Sequence, residues 1–139
     1  MTLSPQPRHD LSAIEIDEIE DRLHGHNSRA TGHDDAQGLG FVIRDAAGAV
    51  VGVAAGFTWA GTAELRQLWV DEAWRGQGHG RALLDAFEAE ARRRSARRIW
   101  LHSYAFQAPA LYEKAGFERI AEYDDWPEGH VNVLMCKVL

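Results

Sequence analysis

The sequence predicts an α/β fold, a mixed central sheet with flanking helices, in one domain over residues 1–139. Three observations carry that expectation. Residues 64–84, ELRQLWVDEAWRGQGHGRALL, read as an apolar strand, a glycine-rich turn and the start of an amphipathic helix. The strand in that stretch closes a meander of three strand-like runs separated by short turns. A further apolar run follows the helix, so the helix is a crossover and the two strands beside it should lie parallel.

Composition bounds the function. At 139 residues, with 45% hydrophobic and 26% charged residues, the chain can bury one sizeable core. No apolar run approaches the roughly 20 residues of a membrane span, and the N-terminal MTLSPQPRHD lacks the apolar stretch of a signal peptide. A single cysteine, Cys136, excludes an intrachain disulfide and a cysteine-only metal site. These features point to a cytoplasmic protein with no membrane partner. The net charge of -6 argues against general nucleic-acid binding and suits cationic substrates such as amines.

Taken in order, residues 1–10 lack periodicity and lead to a short first strand near Leu11. Over 15–27, Ile16, Ile19 and Leu23 fall at helical spacing, and Gly25 and Asn27 mark the expected end. Residues 28–39 are polar and glycine-containing, hence a loop. His24, His26 and His33 with Asp34 do not form a metal site on this reading, because histidines two apart do not share a helix face. Strands are expected over 40–44, 50–59 and 63–70. In the third, Leu65, Gln67 and Trp69 alternate with Glu64, Arg66, Leu68 and Val70.

The helix over 78–95 carries Leu83, Leu84, Phe87 and Ala91 as its apolar stripe. Its basic end, Arg92 to Arg94, is explained by the helix dipole and by pairing with Glu88 and Glu90. A strand over 98–104, apolar on both faces, precedes a short helix over 108–115 that Gly116 stops. Strands over 117–123 and 131–139 flank a loop at 124–130. Cys136 is a small core residue with nothing beside it to activate a thiolate.

The turn Arg75-Gly76-Gln77-Gly78-His79-Gly80 makes chemical sense if main chain is the binding surface. Glycines remove the Cβ atoms that would hold a ligand away, and the helix that follows offers unpaired amides and a positive dipole end to an anion. A Walker loop is excluded, since no Lys and hydroxyl follow Gly80; a dinucleotide fingerprint lacks its Gly spacing and its downstream acid.

Arg75-x-x-Gly78-x-Gly80 after Leu68-Trp69-Val70 resembles the acyl-CoA pyrophosphate loop of the GNAT-superfamily N-acetyltransferases. The segment FQAPALYEKAGF (residues 106–117) looks like the helix-and-turn signature of the same family. With DDWPEGH at 124–130, the segments resemble a small prokaryotic branch of it. The resemblance covers residue 40 to the C-terminus and implies the GNAT fold, with six to seven strands.

It also implies that acetyl-CoA is the co-substrate and that no metal takes part. The pyrophosphate would sit on the amides of Gln77, Gly78, Gly80 and Arg81, with Arg75, Gly76 and His79 completing the loop. Leu68 and Val70 would pair with the pantetheine arm as an added strand, the Val70 N–H polarising the thioester carbonyl. Gln107 stands where many members carry an Asn that contacts the cofactor arm.

Tyr112 matches the family's general acid, a phenol that protonates the departing thiolate. Glu64 matches a carboxylate that acts as base through water; His102 is the rival, and water alone is the third option. Trp126 and His130 lie in a loop expected to wall the acceptor pocket. The implied activity is acetyl transfer to a primary amine of a small molecule or peptide in a ternary complex. The alternative is a non-catalytic acyl-CoA-binding sensor. Apolar terminal strands would allow a homodimer.

Overall fold

The computed structural model describes residues 2–139, which divide into two compact units meeting in sequence at Asp34 and Asp35. The first unit is one helix, α1 (Ala13–Thr31). Ser12 starts it: the Glu15 amide donates to Ser12 Oγ (3.2 Å) and the Ser12 amide donates back to Glu15 Oε2 (2.9 Å), a capping box. The bond from the Ser12 amide, and then Arg8, hold the Glu15 carboxyl below the usual carboxylate range. The short strand expected near Leu11 is absent, because the neighbouring Ser12 is committed to the cap. The helix also outruns its expected end at Asn27. Gly25 and Asn27 lie inside it, and the stop is Gly32 in the left-handed region (φ 74°), whose amide donates to Ser28 O.

The second unit is a six-stranded mixed sheet with two helices and a 3-10 turn, Glu72–Trp74. Its strands are β1 (Gln37–Arg44), β2 (Val50–Trp59), β3 (Thr62–Val70), β4 (Arg98–Tyr104), β5 (Glu118–Asp124) and β6 (Val131–Val138). Their order across the sheet is β1-β2-β3-β4-β6-β5. Only β3 and β4 are parallel, joined through the crossover helix α2 (His79–Arg93), as the strand–helix–strand pattern requires. The short helix α3 (Pro109–Lys114) links β4 to β5.

The core is the apolar stripe of α2, Leu83, Leu84, Phe87 and Ala91, against Ala54, Ala63, Leu65 and Ile99 of the sheet. Arg94 at the end of α2 is not a free cation. It pairs with Glu90 and donates to Gln37 O, Gly38 O and Thr58 Oγ1, so it clamps the helix end to β1 and β2. Strand β4 buries Ile99, Leu101 and Ser103 and turns Arg98 and His102 outward, so it is covered on one face and not on both as its composition suggests.

Strand β3 carries the irregularity that shapes the site. Ala55 pairs with Gln67 and Gly56 with Leu65, leaving Arg66 as an extra residue without a partner on β2. The bulge changes which side chains face the core. Ala63 and Leu65 do so before it, Leu68 and Val70 after it, so the regular alternation expected over 63–70 is broken. Gly56 permits this close approach: a Cβ there would lie 1.8 Å from the Glu64 carbonyl oxygen.

Candidate active site

Strands β3 and β4 pair over only three positions, from Thr62↔Arg98 to Glu64↔Trp100. Beyond them β3 keeps its ladder with β2 up to Val70, while β4 keeps its ladder with β6 up to Tyr104. The two strands diverge, and a cleft of about 710 Å³ opens between them. Residues 65–70 of β3 line one side, residues 74–76 and 78–81 the top, and His102, Ser103, Phe106, Gln107 and residues of α3 the other side.

The open edge of β3 offers main chain. The Asp71 amide donates to Val51 O (2.8 Å), so alternation along the strand turns the amides of Val70 and Leu68 toward the opposite edge, where β4 has left. Arg75 braces that edge, its Nε donating to Val70 O at 2.9 Å. The turn that follows has Gly76 and Gly78 at φ 74° and 85°, and a Cβ at either would meet nothing within 4 Å. The first α2 bond runs from the Ala82 amide to Gly78 O (3.0 Å), so the amides of His79, Gly80 and Arg81 have no intrahelical partner. The turn therefore presents donors and the positive end of a 15-residue helix to open space. His79 adds a buried Nε2 without a hydrogen-bond partner in the same wall. These groups suit an anionic ligand.

The facing wall carries the titratable candidates. Tyr112 sits on α3, 8% exposed, edge-on to Phe117, and lines the cleft. Burial pushes its hydroxyl up to about 12, so it is a protonated donor across the neutral range. His102 lines the cleft from β4. Glu64 stands at the last paired position of β3, outside the cleft lining, with Arg66 Nε 3.4 Å from its carboxylate. Gln77 also lies outside the lining. Gln107 lines the cleft, but its Oε1 accepts the Tyr104 amide (3.1 Å), which closes the turn at the end of β4.

Of the residues singled out from sequence, Leu68, Val70, Arg75, Gly76, Gly78, His79, Gly80, Arg81, Gln107 and Tyr112 border one cleft. Sequence reasoning missed Phe106 and Leu111 as cleft residues, and it gave Trp69 no part in the site. Position 106 lies just past the end of β4 and opens the FQAPALYEKAGF segment, but nothing in that segment marks its first ring as a cleft residue. Only the divergence of the strands turns it into a wall.

Comparison with known proteins agrees with this architecture. The acetyltransferase (GNAT) family model matches residues 5–117. An acetyltransferase of Agrobacterium fabrum is 34% identical over 102 residues, 73% of this chain and 74% of its own length. The blasticidin-S acetyltransferase of Streptomyces morookaense is 36% identical over 73 residues, 52% of this chain and 54% of its own length. The crystal structure of an acetyltransferase from Bacillus cereus superposes with a TM-score of 0.79 at 27% identity, covering 96% of this chain and 98% of that one.

Proposed function

Since this chain belongs to the GNAT family of acetyltransferases, we propose that it moves an acetyl group from acetyl-CoA to the primary amine of a small molecule or peptide, by direct attack in a ternary complex. The observation that carries the reading is the cleft where β3 and β4 part, with free amides on one wall and the Tyr112 phenol on the other. The similarity to the Bacillus cereus structure, over 96% of the chain, supports treating residues 1–139 as one catalytic domain. The name of the Streptomyces morookaense relative, blasticidin-S acetyltransferase, supports a small-molecule acceptor.

In this mechanism the amides of Gly78, His79, Gly80 and Arg81 hold the pyrophosphate of the co-substrate at the start of α2. Gln77, Gly76 and Arg75 shape the turn, and Leu68 and Val70 offer their main chain to the pantetheine arm. The Val70 amide donates to the thioester oxygen as it gains charge. The amine nitrogen forms a bond to the carbonyl carbon, the C–S bond breaks, and the Tyr112 hydroxyl gives its proton to the sulfur. The phenol is protonated across the neutral range and so has a proton to give, although burial makes it a weaker acid than a free tyrosine. The proton lost by the amine goes to His102, which lines the cleft, or through water to Glu64.

The reading is tested by thiol release from acetyl-CoA across a panel of primary amines, with CoA binding measured separately by calorimetry. Acceptor-dependent release is expected. Tight CoA binding with no release from any amine would favour a sensor and defeat the enzyme mechanism.

A further inference from the structure

Two short chains of rings lead from the cleft to the surface. Phe106, a cleft residue, stacks on Tyr104 (5.2 Å between centroids, 16° between planes) and takes the edge of His130 at 5.0 Å. His102, also a cleft residue, lies 6.3 Å from Tyr123, which lies 6.3 Å from Trp126. Both chains join the end of β4 to the loop at 124–130. One ring of each chain is left open: Phe106 is 58% exposed and Trp126 60%. Neither contributes to the core; Phe106 lines the cleft itself, and Trp126, outside the lining, is tied to it through Tyr123 and His102.

The loop that presents them is held in place. The Gly129 amide donates to Asp125 Oδ1 (3.0 Å), the His130 amide to Pro127 O (2.8 Å) and the Trp126 amide to His130 O (3.2 Å). On the β4 side the Ala105 amide donates to Val131 O and the Gln107 amide to Tyr104 O, both at 2.8 Å. A platform ordered before binding loses little freedom when a ligand arrives.

Resting on the acetyltransferase reading, we propose that the acceptor is an amine carrying a planar ring, and that Phe106 and Trp126 grip this ring at the mouth of the cleft. Ring faces favour stacked or edge-on rings and attract cations over purely aliphatic groups. No Lys or Arg lies between residues 120 and 130, so nothing in that loop repels a protonated amine.

The test compares 2-phenylethylamine with hexylamine, two primary amines that differ in the ring. Two readouts are taken: kcat/KM for thiol release, and calorimetric binding of each amine to the CoA-saturated protein. The ring-bearing amine should win by about tenfold in both. The preference should collapse toward unity in Phe106→Ala and Trp126→Ala and persist in Trp126→Phe. Equal release and equal binding of the two amines would overturn the ring site and leave the acetyltransferase reading standing. Selective binding of 2-phenylethylamine, with no thiol release from it or from any amine of the panel, would keep the ring site and overturn the enzyme mechanism. A preference retained in both alanine variants would remove Phe106 and Trp126 from the site.

Discussion

From Gly76 to Arg81 the cleft is bordered by a turn that offers main-chain donors beside the His79 ring, whereas from His102 to Tyr112 it is bordered by residues that offer side chains. The first wall depends on what is missing: with no Cβ at Gly76 or Gly78 the chain takes up the left-handed turn that precedes the free amides of α2. The second depends on what is present, a buried phenol and exposed rings on elements that diverge from β3. A main-chain wall recognises a feature common to many ligands, an anion near a helix start. A side-chain wall can be rebuilt residue by residue without disturbing the first. The cleft thus separates a general half from a particular half.

The sharpest way to test that division is Tyr112→Phe. Loss of the phenolic proton should lower kcat by about 10²–10⁴-fold while the affinity for CoA changes less than about threefold. Comparable losses in both would make Tyr112 a packing residue and blur the two walls. Next in size, Gly78→Val should weaken CoA binding by about 100-fold or more in calorimetry. The fold should survive this change, since the added Cβ meets nothing within 4 Å and only the φ of 85° is strained. Unaltered binding in a folded variant would remove the turn from the site.

The smallest effect concerns pH. Burial raises the Tyr112 hydroxyl to about 12, above the value near 10 of an unfolded tyrosine. The folded state therefore holds its proton where the unfolded state has lost it. The associated stability is fully present below about pH 10 and is lost as pH rises toward about 12. Urea unfolding between pH 9 and 11.5 should show the wild-type chain losing about 2 kcal/mol more than Tyr112→Phe. Parallel curves would mean that the hydroxyl is hydrated in the folded state.

Much of the fold is written in local pattern. The stripe of α2, the meander and the Gly116 stop are each set by spacing within a few turns or strands, and each stands where its pattern puts it. Two of the misreadings turn on partners distant in sequence, whereas the Leu11 strand was lost to a cap only three residues long. Leu11 was free to be a strand until Ser12 closed a box with Glu15. Leu65 and Trp69 have the same parity in sequence, yet the extra residue at Arg66 sends Leu65 into the core and leaves Trp69 46% exposed. Trp100 suggests burial on both faces of β4, but the cover lies on one side alone.

The sequence by itself determined the glycine turn ahead of α2, because glycine spacing before a helix is a local property of the main chain. It also marked Tyr112 through the motif that surrounds it. Tertiary structure alone decided where the cleft runs, because the cleft exists only where β3 and β4 stop pairing after Glu64 and Trp100. That divergence brings Phe106 into the same wall as Tyr112 and leaves Glu64 outside it. Spacing along one chain specifies a turn; the gap between two strands depends on the partners that each keeps, β2 on one side and β6 on the other.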